Sequence, residues 1–116
     1  MTNKEKALKM ILEIEKTIEE NKGKNSSYNF INQKREKIRL EKYANGLTYD
    51  YFIQMENEVS FQGCIEPGFA QELKEDLLYG MKNNHHIKLE DGTIINGSKI
   101  IYFKIEEYKI WVFKRN

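Results

Sequence analysis

The sequence has one cysteine, one proline and no apolar run longer than four residues. A single cysteine, Cys64, cannot form a disulfide within the chain, which is typical of a reducing compartment. A transmembrane helix needs about 20 apolar residues, so the sequence predicts none. Its first residues are charged and lack the apolar stretch of a signal peptide, so we expect a cytoplasmic protein.

Motifs for catalysis, metal binding and nucleotide binding are also lacking. The adjacent His85 and His86 point in different directions on either a helix or a strand, and no cysteine lies at zinc-ligand spacing. Cys64 is expected to be a buried, inert thiol. The carboxylate pairs Glu19-Glu20 and Glu106-Glu107 are typical of solvated surfaces. We therefore expect no cofactor and no metal, and we lean against an enzyme.

The chain does contain enough apolar residues to form a hydrophobic core, and we expect residues 1–116 to fold as one domain. Of its 116 residues 40% are hydrophobic and 12% aromatic, which is too many for a disordered chain. Lysine outnumbers arginine sixteen to three, a bias that indicates an AT-rich bacterial or phage genome.

Charge is unevenly distributed along the chain, although the formal net charge is only +1. Residues 1–49 sum to +4, residues 50–78 to −6 and residues 79–116 to +3. An acidic surface built from 50–78 would orient a partner more than it would add affinity.

The first helix is predicted by a capping box, in which Thr2 and Glu5 satisfy each other's backbone donors. A buried stripe follows at alternating steps of four and three, with two leucines beside it. The stripe is Ala7, Ile11, Ile14 and Ile18, and the leucines, which are expected to widen the buried stripe, are Leu8 and Leu12.

Residues 28–44 are ambiguous between helix and strand. Their lysine, arginine, glutamate and leucine content favours a helix, but their apolar residues scatter around a helical wheel. As a strand, with Asn45-Gly46 as a type I′ turn, the segment pairs Leu40 with Tyr51 and Ile38 with Ile53. Its polar face then carries Lys37, Arg39, Glu41, Asp50 and Gln54. We favour this hairpin over the helix.

A third strand and a second helix come next. A loop at 56–58 sets Met55 opposite Val59 and Ile53 opposite Phe61. Pro67 suits the first turn of a helix. The buried stripe of that helix is Ala70, Leu73, Leu77 and Met81, and Asn83-Asn84 ends it.

The last third of the chain reads as strands at 87–90, 93–96, 99–106 and 108–114. Tight turns are predicted at Asp91-Gly92, Gly97-Ser98 and Glu106-Glu107. The fold is therefore expected to be α+β, with two helices packed on antiparallel sheet in the order α-βββ-α-ββββ.

Pairing of the last two strands places Tyr102, Trp111 and Phe113 on one face with a rim of lysines. Tyrosine and tryptophan are enriched at the energetic centres of protein interfaces. The leading hypothesis is a non-catalytic protein-binding module anchored by these three residues, with 50–78 as a complementary acidic field. The background of AT-rich bacteria and phages adds the expectation of an inhibitor or regulator of a host protein, including defence proteins. The partner is expected to be a protein, with a homodimer as a further option.

Nucleic-acid binding is the first alternative. It would use the basic cluster Lys34, Arg35, Lys37, Arg39 and Lys42. Cations neutralise phosphates and interleaved aromatic rings stack on bases, but Glu36 and Glu41 interrupt this cluster. The second alternative is a small-ligand-binding protein or enzyme without a recognisable motif, which would need an apolar pocket with convergent polar groups.

Overall fold

The computed structural model describes residues 2–22 and 30–110. Its described elements form two compact units. One holds the helices α1 (Asn3–Asn21) and α2 (Ile31–Ala44). The other spans Leu47–Tyr108 and holds five strands and one long helix. The α+β class with antiparallel strands is confirmed, whereas the single-domain expectation stays a prediction.

The first unit is a helical hairpin. The capping box of α1 is confirmed: the Thr2 backbone N–H donates to Glu5 Oε1 at 2.8 Å and the Glu5 backbone N–H to Thr2 Oγ1 at 3.1 Å. The Thr2 backbone N–H, and then the Thr2 hydroxyl, stabilise the carboxylate and so lower the pKa of Glu5. Ala7 and Ile11 are buried, as the periodicity predicts. Leu8 and Leu12 are instead exposed on the side of the helix.

The hairpin predicted from the segment 28–44 and the turn Asn45-Gly46 is wrong, because residues 31–44 form α2. Residues 2–22 and 30–110 thus contain three long helices instead of two. The Asn45 and Gly46 backbone N–H groups cap the helix by donating to Glu41 and Tyr43 carbonyls, and Gly46 has a φ of +96°. A glycine with positive φ suits a helix end as well as a type I′ turn, so the Asn-Gly signal does not discriminate between them. The segment is helical, in agreement with the helix propensity of its residues. Of the residues of α2, only Leu40 and Tyr43 are buried.

The second unit is built on a three-stranded antiparallel sheet. Its strands are β1 (Tyr49–Met55), β2 (Ser60–Ile65) and β5 (Ile100–Glu107), in the order β2-β1-β5. The predicted pairing of Ile53 with Phe61 is confirmed, and the Met55 backbone N–H donates to the Val59 carbonyl at 2.8 Å. Side chains alternate along β1, so one face of the sheet is buried and the other is not.

Helix α3 (Pro67–Asn83) covers the buried face. It begins with the proline as predicted and ends at Asn84, which adopts the left-handed conformation. Its buried residues Leu73 and Leu77 belong to the same core as Ile53 of β1. Met81, which was predicted to belong to the buried stripe, is partly buried and packs against this core.

A small hairpin completes the second unit, with β3 (His86–Lys88) paired to β4 (Ile94–Asn96). The predicted turn at Asp91-Gly92 is confirmed, with Gly92 at a φ of +91°. The Thr93 backbone N–H donates to Asp91 Oδ1 at 2.9 Å, which lowers the pKa of Asp91. A short 3₁₀ turn, Gly97–Lys99, leads into β5.

The predicted turn at Glu106-Glu107 is wrong, because both residues belong to β5 and pair with Asp50 and Tyr49. The Tyr108 backbone N–H continues this pairing by donating to the Thr48 carbonyl at 2.9 Å. Pairing β5 with β1 brings its apolar side chains to the core, which a terminal hairpin alone would not do. Residues 108–110 are not a strand, and the rest of the predicted strand 108–114 lies outside the described residues. No helix in the described part of the chain is long and apolar enough to cross a membrane.

Candidate functional site

The strongest candidate surface is the face of the β2-β1-β5 sheet that points away from α3. Its centre is a pair of aromatic rings, Phe52 on β1 and Tyr102 on β5, with centroids 5.9 Å apart. These rings lie in a shallow depression of about 320 Å³ on the sheet surface. We call this surface the open sheet face; it comprises Asp50, Phe52, Gln62, Tyr102, Lys104 and Glu106.

Strand alternation puts these residues together. Residues 50, 52 and 54 of β1 share one face, and Tyr51, Ile53 and Met55 point into the core. In the register, Gln54 is paired with Tyr102 and Phe52 with Lys104. An aromatic residue of β1 and one of β5 therefore meet diagonally across the two strands.

A β-bulge increases the apolar area beside this pair. The register shifts where Gln54 opposes Tyr102 and Met55 opposes Ile100, so Ile101 is an extra residue of β5. Ile101 is 57% exposed, and the following Tyr102 is 51% exposed. The bulge thus keeps two consecutive large side chains at the surface of a strand.

Charged groups lie at one end of the open sheet face. Lys104 Nζ and Glu106 Oε1 form an exposed ion pair at 3.3 Å, and Asp50 stands opposite Glu106 in the register. This end carries two carboxylates and one ammonium group. The other end presents the uncharged side chains of Gln54, Ser60 and Gln62.

Of the three predicted anchors, only Tyr102 lies in the described part of the chain, while Trp111 and Phe113 lie outside it. Sequence reasoning missed Phe52 as a second anchor. The available signal was the alternation Asp50, Phe52, Gln54, which places an aromatic ring on an otherwise polar face.

The acidic segment 50–78 does not gather at this face. Asp50 belongs to it, whereas Glu56 and Glu58 lie in the turn between β1 and β2. The remaining carboxylates lie at the start and on the solvent side of α3; they are Glu66, Glu72, Glu75 and Asp76.

The residues of the predicted basic cluster all lie on α2, but they do not share one exposed surface of the helix. Lys34, Arg35 and Lys42 are exposed along one side of the helix. Lys37 instead pairs with Glu15 of α1 at 3.0 Å, and this contact raises the pKa of Lys37. Arg39 is half-buried. Nucleic-acid binding by these residues stays a prediction.

A polar contact on the core side joins the sheet to the β3–β4 hairpin. The Tyr51 hydroxyl donates to Glu90 Oε1 at 2.7 Å. Burial of the ring, and then the neighbouring carboxylate, raise the pKa of Tyr51. A tyrosine with a raised pKa keeps its proton at neutral pH and is therefore the donor in this contact.

Two further sequence candidates have ordinary surroundings. His85 is exposed at the junction of α3 and β3. Its ring packs edge-on against that of Tyr79, with the two ring centroids 5.5 Å apart. Cys64 is half-buried beside a depression lined in part by Glu66, Phe69 and Glu90. Within residues 2–22 and 30–110, no three His, Cys, Asp or Glu side chains are placed to hold a metal ion.

No protein-family model, curated protein or solved structure gives a significant match to this chain.

Proposed function

We propose that this protein is a non-catalytic binding module that docks the open sheet face onto another protein. The observation that supports the proposal is the Phe52–Tyr102 ring pair at the centre of that face, with Ile101 exposed beside it. Such a centre resembles the buried core of a protein interface, where aromatic residues dominate the energy.

The surroundings of the pair favour a protein as the partner. A single-stranded nucleic acid would also stack on aromatic rings, but it needs cations along its backbone. Among residues 30–110, the charged end of the open sheet face carries two carboxylates and Lys104, whose ammonium group is paired with Glu106. A protein surface with an apolar centre and a basic edge matches this pattern of charge.

The finer proposal is an inhibitor or regulator of a host protein, encoded by a phage or mobile element and acting in the bacterial cytoplasm. Its support is the lysine-rich composition and the absence of a catalytic motif from the sequence. An inhibitor of this kind needs only a tight contact that blocks its target's surface.

The test is quantitative binding of purified full-length chain to a partner first captured from cells and then purified. Tyr102→Ala and Phe52→Ala should each weaken binding at least about tenfold, because truncation of a central aromatic anchor removes most of its contact energy. Ile94→Ala is the matched control, since Ile94 is 64% exposed on β4 of the same unit. Wild-type affinity in both aromatic variants would refute the docking face. A partner whose activity is unaffected by saturating chain would refute inhibition.

Nucleic-acid binding through α2 is the second proposal, favoured by the shared exposed side of Lys34, Arg35 and Lys42. Fluorescence anisotropy with labelled single- and double-stranded oligonucleotides tests it. Binding should fall steeply with added salt, and Arg35→Glu should weaken it, if these cations contact phosphates. Binding that is independent of salt, or unchanged in that variant, would contradict it.

A further inference from the structure

Helix α1 carries an apolar stripe that its own hairpin does not bury. Leu8 is 46% exposed and Leu12 is 65% exposed. Glu15 and Glu19 continue the same stripe at steps of three and four residues, which is the spacing of one helical face. The stripe thus combines two leucines with two carboxylates.

Helix α2 carries a matching stripe of opposite charge. Ile31 is 51% exposed and Ile38 is 53% exposed, two helical turns apart. Lys34 lies between them and Lys42 follows one turn later, both exposed. This stripe combines two isoleucines with two ammonium groups.

Both stripes lie on the same side of the helical hairpin. A groove of about 440 Å³ separates the helices on that side, and its lining includes Glu15 from the first stripe with Lys34 and Ile38 from the second. The 3.0 Å ion pair between Glu15 and Lys37 crosses the groove. We call the surface formed by the groove and the two stripes the hairpin face.

We propose that the hairpin face binds the hairpin face of a second copy of this chain, forming a four-helix bundle. A two-fold axis parallel to the helices would set α1 of one copy against α2 of the other, so Leu12 would approach Ile38 and Glu19 would face Lys34. Both halves of this complementarity lie on one surface, which is the property that an isologous interface requires.

Charge and shape favour this occupant over nucleic acid. The exposed isoleucines interrupt the cations, and the neighbouring carboxylates of α1 would repel phosphates. Four exposed aliphatic side chains on two adjoining helices also gain most by burial against similar side chains.

The area of the hairpin face indicates how tightly two copies should bind. Helices of 19 and 14 residues are about 28 and 21 Å long, so each copy would contribute roughly 500 Å². The total of roughly 1,000 Å² lies below the range of about 1,200–2,000 Å² for stable complexes, so we expect a weak dimer with a dissociation constant in the micromolar range.

The test is the mass of the full-length chain by light scattering and sedimentation equilibrium over a range of concentrations. The wild type should pass from the 13.9 kDa monomer to twice that mass as concentration rises. Leu12→Lys and Ile38→Glu each place a charge against like charges of the other copy, and each should raise the dissociation constant at least about tenfold. Leu78→Lys is the control, because Leu78 is 52% exposed on α3 and should leave the dimer unchanged.

A charge exchange tests the orientation of the two copies. Glu19→Lys and Lys34→Glu should each weaken the dimer, and the two together in one chain should restore it. Circular dichroism of every variant must match the wild type, so that loss of the dimer is not loss of fold.

Three results would overturn the proposal. They are a wild type that remains monomeric at about 1 mM, a dimer unaffected by both Leu12→Lys and Ile38→Glu, and a monomer that uses the same residues for a foreign protein or nucleic acid. Tyr102→Ala is expected to leave the dimer intact, so failure here is distinguishable from failure of the open sheet face.

Discussion

The Tyr51 hydroxyl is hydrogen-bonded to Glu90 Oε1 at 2.7 Å, which ties the central strand β1 to the residue before the β3–β4 turn. Gly63, the β2 partner of Tyr51, leaves the space for this contact. A Cβ at Gly63 would lie 2.6 Å from Glu90 Oε2 and 2.8 Å from Tyr51 Cε2.

We expect the Tyr51–Glu90 contact to make stability fall at alkaline pH. Burial and the carboxylate raise the pKa of Tyr51 above its unfolded value of about 10. The unfolded chain then loses this proton first, so the stabilisation is complete below about pH 10 and decreases as pH rises above it. Urea unfolding at several alkaline pH values measures the effect, and Tyr51→Phe removes this contribution while other tyrosines remain. Parallel pH profiles for the two proteins would contradict the prediction.

Substitution at Gly63 should weaken the same contact by crowding. We expect Gly63→Ala to destabilise the chain by about 1–3 kcal/mol, because the Tyr51 ring and the Glu90 carboxylate must both move. Combining it with Tyr51→Phe should cost less than the sum of the two single changes, since they act on one contact. Additive losses in urea unfolding would show that Gly63 acts independently of the hydrogen bond.

The close approach of Gly80 and Gly97 makes stability sensitive to substitution at Gly97. The Gly97 backbone N–H donates to the His85 carbonyl at 3.0 Å, and a Cβ on Gly97 would collide with the Gly80 carbonyl group. Because these obstacles are backbone atoms, Gly97→Ala should cost about 2–3 kcal/mol. The matched control is Gly68→Ala in the first turns of α3, where a Cβ meets nothing within 4 Å and should be neutral or stabilising. Equal unfolding midpoints for the two variants would refute the close contact.

Local signals predicted much of this fold. The Thr2–Glu5 capping box, the start of α3 at Pro67 and the pairing of Ile53 with Phe61 each depend on residues less than ten positions apart. The chemistry of such short segments has few alternatives, so pattern and structure agree.

Long-range pairing could not be predicted in the same way. Ile53 lies between Phe61 and Phe103 in the sheet, and the second partner is far along the chain. An apolar strand can pair equally well with any strand of compatible alternation, so the sequence did not distinguish β5 from a strand in the segment 28–44 as the partner of β1. The open sheet face depends on this pairing, which explains why Tyr102 was predicted as an anchor and its neighbour Phe52 was not.

Truncation of a side chain should destabilise the fold far more on the buried face of the sheet than on the open sheet face. Ile53 is fully buried beneath α3, so Ile53→Ala should cost about 3–4 kcal/mol through lost contacts and a cavity. Tyr102 is 51% exposed and loses mainly its ring contact with Phe52, so Tyr102→Ala should cost less than about 1 kcal/mol. Urea unfolding of the two variants measures both values. A loss above about 2 kcal/mol in Tyr102→Ala would show that the ring belongs to the folded core, and the open sheet face would then lack an available anchor.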